Sequence, residues 1–188
     1  MLRKINVASS AIVTLQIEVM NARQVKLGSE HPSTLISMGD LAVTYKKQGR
    51  WDEAEKLEVG VLNASQARLG SDHPNTLIAM NNLALTYQNQ RRWDEAEKLL
   101  VQVLNARQAK FGSDYPDTLT SMANLALIYW DQGRLDEAHS LLSHAVKMMQ
   151  QVMGPQHPTT LQQVKNLDDL SKATLLVSCH NICTLTFI

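Results

Sequence analysis

Gly70-Ser71-Asp72-His73-Pro74-Asn75-Thr76-Leu77 is the most informative stretch of this chain, because variants of it return at a fixed interval. The spacing is 42 residues each time, and the recurring prolines are Pro32, Pro74, Pro116 and Pro158. Residues 27–68 and 69–110 are identical at 29 of 42 positions, and residues 69–110 match 111–152 at 20 of 42, without a gap. A gapless repeat predicts units that each meet their neighbour in the same geometry, as in a solenoid.

Each unit is predicted to contain two helices. In the second unit, Pro74 suits the first position of a helix, with Asp72 or His73 as its cap. Apolar residues then recur at helical spacing, at Leu77, Met80, Leu83, Ala84 and Tyr87. A second helix opens at residues 93–97, where acidic residues favour the helix dipole. Between the two helices, Gly49 of the first unit suits a left-handed turn.

The repeat predicts an all-α solenoid with the following divisions. Residues 1–26 form a lone second helix, the three full units occupy 27–68, 69–110 and 111–152, and the first helix of a fourth unit occupies 153–172. Residues 173–188 are uncharged, match no part of the repeat and have a strand-like composition, so we expect a poorly ordered apolar tail. Asp168 stands where the other units carry alanine, which weakens packing there or suits a water-facing last helix.

The composition excludes several functional classes. The 188 residues contain 18 basic and 18 acidic side chains, and this balance argues against a nucleic-acid or membrane-surface partner. No apolar run is long enough to span a membrane. The two cysteines, Cys179 and Cys183, lie in the last ten residues, so the body of the fold fits a reducing compartment, and we expect a cytoplasmic location.

Three segments carry a family resemblance: Asn82-Leu83-Ala84-Leu85-Thr86-Tyr87, Arg92-Trp93-Asp94-Glu95-Ala96-Glu97 and residues 70–77, with their copies. The pattern resembles tetratricopeptide repeats, and the 42-residue spacing with its His-Pro-x-Thr-Leu entry resembles the kinesin light chain type. The resemblance covers about residues 11–170. It implies a right-handed superhelix whose first helices line a concave groove that binds a protein or peptide ligand.

The residues themselves also indicate a groove. If the apolar stripe of each first helix faces the core, the opposite side presents, at 42-residue spacing, Asp40, Asn82, Asn124 and Asn166. Amides offer donors and an acceptor, so this row either pairs with a peptide backbone, or is merely tolerated on an exposed face or bonds its own neighbours. The other groove candidates differ between units. They are Ile36, Val43, Lys46 and Lys47 in the first unit, Ile78, Asn81, Leu85, Gln88 and Asn89 in the second, and Thr120, Leu127, Trp130 and Asp131 in the third.

Two of these candidates have alternative interpretations. Lys46 and Lys47 either receive an acidic ligand residue or form a solvated pair. Trp130 replaces a lysine and a glutamine of the other units, so it is either a binding hot spot or packs against the next unit.

The spacing of the histidines favours neither a catalytic site nor a metal site. The recurring histidines His31, His73 and His157 are too far apart in a stacked array to share a metal, and we predict no metal site and no cofactor. His139 and His144 are the candidates for an enzymatic alternative, but they do not share a helical face. The sequence therefore predicts a non-catalytic protein-interaction module.

Narrower alternatives are a motor cargo adaptor and the sensor array of an NB-ARC or NACHT signalling NTPase, since similar arrays occur in such proteins. No phosphate-binding loop is present in this sequence. The open half-units at the two ends also allow self-association.

Overall fold

A computed structural model describes the backbone of residues 2–185 and the side chains of residues 11–176. The described residues form eight α-helices and no strand, which confirms the predicted all-α repeat fold. The helices are α1 (Leu2–Leu27), α2 (Pro32–Lys47), α3 (Trp51–Leu69), α4 (Pro74–Asn89), α5 (Trp93–Phe111), α6 (Pro116–Asp131), α7 (Leu135–Val152) and α8 (Pro158–Leu185). The chain divides into two compact units that are larger than the 42-residue repeats. The first unit is Met1–Arg92 with α1–α4, and the second unit is Trp93–Ile188 with α5–α8. No helix in this part of the chain is long and apolar enough to cross a membrane.

A histidine caps three of the four first-type helices. The backbone N–H two residues later donates to the imidazole Nδ1 of His31 (3.2 Å), His73 (3.2 Å) and His157 (3.3 Å). Proline follows each histidine and needs no partner for its missing N–H. Of the two caps considered for α4, the structure selects His73 over Asp72. Tyr115 makes no such bond before α6, and its ring stacks on Phe111 instead.

The turn between the paired helices has the same construction in every full repeat. One residue adopts a left-handed backbone conformation: Gly49 (φ 72°), Arg91 (φ 61°) or Gly133 (φ 79°). The arginine that follows lies over the ring of the preceding tyrosine, in the pairs Arg50–Tyr45, Arg92–Tyr87 and Arg134–Tyr129, with 4.2, 4.1 and 3.9 Å to the ring centroid. The predicted left-handed turn at Gly49 is confirmed, and Arg91 adopts it without being glycine.

A polar clamp joins successive repeats within each unit. In the first unit, the Gln90 amide donates to Asp52 (3.0 Å) and Glu55 (2.9 Å), and Arg92 pairs with Glu55 at 2.7 Å. The same contacts recur in the second unit, where Gln132 donates to Asp94 and Glu97, and Arg134 pairs with Glu97 at 3.0 Å. The acidic residues at the start of α3 and α5 thus hold the turn of the next repeat.

The last helix extends further than the repeat pattern indicated. α8 runs to Leu185, past the predicted helix end at residue 172, and the last three residues lie outside the described part of the chain. Where the third repeat has Gln-Gly-Arg, α8 has Thr174, Leu175 and Leu176, so no glycine ends the helix. Asp168 is exposed on α8, as suits a helix side that faces water.

Replacing His73 with alanine is expected to lower the free energy of unfolding by about 1 kcal/mol, because the N–H of Asn75 loses its acceptor. His73→Asn should retain most of the stability, since asparagine also caps helices. Urea denaturation of the three proteins measures the difference. Equal losses for alanine and asparagine would show that the imidazole contributes something other than a cap.

Arg91→Gly is expected to stabilise the protein by about 0.5–1 kcal/mol, because an L-residue at positive φ is strained and glycine is not. The reciprocal change, Gly133→Arg, should destabilise it. Thermal unfolding followed by circular dichroism tests the pair. A lower midpoint for Arg91→Gly would contradict the strain argument.

Candidate functional site

The first unit contains an open cleft between α2 and α4, with α3 as its floor. Its volume is about 440 Å³. The apolar wall consists of Pro32, Leu35 and Ile36 from α2 with Val61, Ala64 and Leu69 from α3. Polar groups come from Ser65, Arg68 and Asn75, and none of the nine described lining residues is acidic. A small, mostly apolar concavity with a few polar groups is the usual form of a ligand site.

The cleft is open because Ser65 is small. The equivalent residues of the other second-type helices are Arg23, Arg107 and Met149. Arg107 is buried, and its guanidinium donates to the Asp117 carbonyl (2.9 Å) and to Ser121 Oγ (2.7 Å) on the next helix. Burial lowers the pKa of the Arg107 guanidinium, and the negative charge of Asp117 opposes this only in part.

The contact between α1 and α2 contains an equivalent arginine. Arg23 donates to the Ser33 carbonyl (3.1 Å) and to Ser37 Oγ (2.6 Å). Between α3 and α4, serine replaces the arginine, and Ala79 replaces the serine that would receive it. Both changes leave smaller side chains at the α3–α4 contact, and Ser65 lines the cleft.

The other end of the α2–α4 space is closed by an ion pair. Lys46 Nζ lies 2.7 Å from Glu58 Oε1, and Thr86 Oγ1 donates to Glu58 Oε2 at 2.5 Å. The side chains of Lys46 and Glu58 are 18% and 7% exposed, so both charges are largely removed from water. These three residues link α2, α3 and α4. Lys46, for which the sequence left open an acidic ligand residue or a solvated lysine pair, pairs with Glu58 in the structure, and sequence reasoning missed this role of Glu58.

Two family models match the sequence, both described as tetratricopeptide repeat. One matches residues 60–108 and 76–151, and the other matches residues 34–75. The chain belongs to the tetratricopeptide repeat family. Such repeats typically form non-catalytic scaffolds for protein interaction. Among the curated proteins, none matches this chain.

Solved structures with the same fold include repeat proteins of the kinesin light chain type. A Podosopora anserina protein named as a kinesin light chain, with nearly identical TPR-like repeats, is 31% identical. Its TM-score is 0.74, and the match covers 90% of this chain and 80% of that one. A variant form of that protein gives a TM-score of 0.76 at the same identity and coverage. BtubC (BKLC) from P. vanneervenii matches at 22% identity with a TM-score of 0.75, covering 92% of this chain and 69% of that chain, and shows the fold alone.

Several amide side chains among the predicted groove residues already have interaction partners within the protein. Asn166 accepts from Gln162 (3.0 Å) and donates to Gln163 (2.9 Å) on its own helix. Asn89 donates to the Leu85 carbonyl at 2.7 Å. Further groove candidates have interactions of their own within the protein, and these are Asn81, Gln88 and Asn124. Asn166 and Asn89 thus bond neighbours on their own helices, and their part in a groove stays a prediction.

The remaining predicted groove residues lie at the surface of their own units. Asp40 and Lys47 are exposed on α2, and Asn82 is half-buried on α4. Leu127 and Trp130 are half-buried on α6. The row of polar residues across all repeats stays a prediction. Of the groove residues named from sequence, Ile36 lines the cleft.

The described residues include no group of histidine, cysteine, aspartate or glutamate side chains that could hold a metal ion. His31, His73 and His157 each cap a helix. His139 is exposed on α7. Helix capping accounts for the recurrence of His31, His73 and His157 at 42-residue spacing.

Lys46→Gln is expected to destabilise the protein by about 2 kcal/mol, because Glu58 keeps a buried charge without its partner. The double change Lys46→Gln with Glu58→Leu should recover most of this loss, since the second repeat carries Gln88 and Leu100 at these positions. Urea unfolding of the single and double variants measures both effects. A double variant no more stable than the single one would contradict the pairing argument.

Proposed function

We propose that this tetratricopeptide repeat chain is a protein-interaction module that binds a peptide segment in the α2–α4 cleft. The observation that carries the proposal is the open apolar wall at Ser65. The neighbouring helix contacts of the same chain are filled at this position by arginine or methionine. A cleft left open at one contact of a nearly uniform array makes that place suited to a ligand.

The chemistry of the cleft fits one or two side chains of an extended or helical peptide. Leu35, Ile36 and Val61 supply apolar contact, and Ile36 is 61% exposed before any ligand is present. Burying exposed apolar surface favours association. Asn75 and Ser65 lie close enough to the cleft to bond a peptide backbone.

The narrower functions weighed from the sequence, a motor cargo adaptor and the sensor array of a signalling NTPase, stay predictions. Self-association through the terminal helices also stays a prediction. The cytoplasmic location likewise remains an expectation.

The test closes the cleft with the side chains that the protein uses elsewhere. Peptides are first selected from a random dodecapeptide phage library on the native chain, and their Kd is measured by fluorescence anisotropy. The double variant Ser65→Arg with Ala79→Ser rebuilds the arginine–serine contact of α1–α2 and α5–α6. We expect it to weaken binding at least about tenfold, which corresponds to about 1.4 kcal/mol.

The matched control is Asn63→Arg, which adds the same charge to α3 at an exposed position outside the cleft. Its Kd should equal that of the native chain. Unchanged circular dichroism of both variants shows that the fold is intact. Selected peptides that bind the double variant as tightly as the native chain would refute the cleft as the binding site.

A further inference from the structure

The second unit has a cleft of a different kind, with a first-type helix as its floor. It lies between α5 and α7 over α6 and has a volume of about 710 Å³. Leu104 and Leu125 are buried at its base, while Val101, Leu141 and Tyr129 are half-buried along it. Side chains from α5, α6 and α7 therefore give this cleft a mainly apolar lining within one unit.

The α7 edge of this cleft is acidic at one end. Asp136 and Glu137 line it in the first turn of α7, and both are exposed. Glu137 pairs with Arg134 at 2.7 Å, and hydrogen bonding from Arg134 lowers the pKa of the Glu137 carboxyl, so it is ionised at neutral pH. Among the described residues, Asp136 has no cation at ion-pair distance.

The equivalent aspartates of the other repeats, Asp52 and Asp94, accept hydrogen bonds from Gln90 and Gln132 of the repeat that follows. Each also has a lysine nearby in the sequence. Four residues after Asp52 and Asp94 stand Lys56 and Lys98, at the spacing that brings opposite charges together on a helix. Four residues after Asp136 stands a serine, Ser140. Ser140 lines the cleft beside Asp136, so this edge carries a small side chain and a carboxylate where the other repeats have a lysine and an aspartate.

The two ends of the α7 edge differ in charge. Asp136, Ser140 and His144 follow one another at intervals of four residues and all line the cleft. The carboxylate lies at the start of α7 and the imidazole two turns later. A cationic group on a ligand is therefore favoured at the Asp136 end, with apolar groups beside Leu141.

We propose that the α5–α7 cleft binds a peptide segment in which an aliphatic side chain neighbours a lysine or arginine. The aliphatic group packs on Val101, Leu104 and Leu141, and the cation pairs with Asp136. This is a second interaction surface, and it does not depend on the α2–α4 cleft of the first unit. Its ligand is set by the acidic edge, whereas the residues that line the first cleft include arginine and no acid.

The experiment uses defined peptides and the full chain. The probe is an acetylated, amidated hexapeptide, Gly-Leu-Lys-Leu-Arg-Gly. One comparison peptide replaces both cations with glutamate, and the other replaces both leucines with serine. Methyl NMR of the isotope-labelled chain should show saturable shifts at Val101, Leu104 and Leu141 with the probe, and much weaker binding with either comparison peptide.

Ser140→Lys is the decisive variant, because Lys56 and Lys98 show that the fold accepts lysine at this position. It places a cation one helical turn from Asp136 in the lining of the cleft, so we expect binding of the basic probe to weaken about fivefold. Gln150→Lys is the matched control, since it adds the same charge to α7 at an exposed residue outside the cleft. It should bind like the native chain.

Three results would overturn the proposal. These are no saturable shift with the basic probe, equal binding by the glutamate peptide, or equal affinity for Ser140→Lys and the native chain. The variant Ser65→Arg with Ala79→Ser separates the two surfaces. It should leave the probe affinity unchanged, and shifts at Ile36 and Val61 in place of Leu141 would assign the probe to the first cleft.

Discussion

In each full repeat, the guanidinium of one arginine lies over the ring of the tyrosine five residues earlier. This contact fixes the turn that sets two helices side by side, and the left-handed residue between them makes the turn possible. Arg92 and Arg134 also reach back to a glutamate of the preceding repeat. One side chain thus connects the pairing of helices within a repeat to the stacking of repeats within each unit. The apolar stripes become a shared core because this geometry is reproduced.

A scaffold built in this way can vary only through the side chains at its contacts. Ser65 opens a cleft where other repeats place arginine or methionine, and Ser140 leaves an acidic edge where they place lysine. Glu58 does the opposite, because it draws Lys46 inward and closes one end of the α2–α4 space. The backbone stays nearly uniform while the surface changes from repeat to repeat. Binding differences between repeats then arise from single substitutions.

The sequence predicts the helices well, because apolar periodicity, prolines and the His-Pro pairs act locally. For the same reason it predicts a cap at Asp72 or His73, of which His73 forms it, and a left-handed residue at Gly49. It does not predict the partner of Lys46, since Glu58 lies on another helix and becomes its neighbour only after α2 and α3 pack. The cleft at Ser65 was not predicted from the sequence, because the cleft arises where one side chain is smaller than its equivalents in the other repeats. Comparing position 65 with Arg23 and Arg107 is the signal that could have found it.

The clamp between repeats has a consequence for how such a chain can lengthen. Gln90 and Arg92 contact Asp52 and Glu55, and the same four residue types meet again 42 positions later. A duplicated gene segment encoding one such period would bring both the acceptors for the turn that follows it and the donors for the acids that precede it. Copy number can therefore change by recombination without any new interface having to evolve, and each added copy is afterwards free to diverge at its exposed positions.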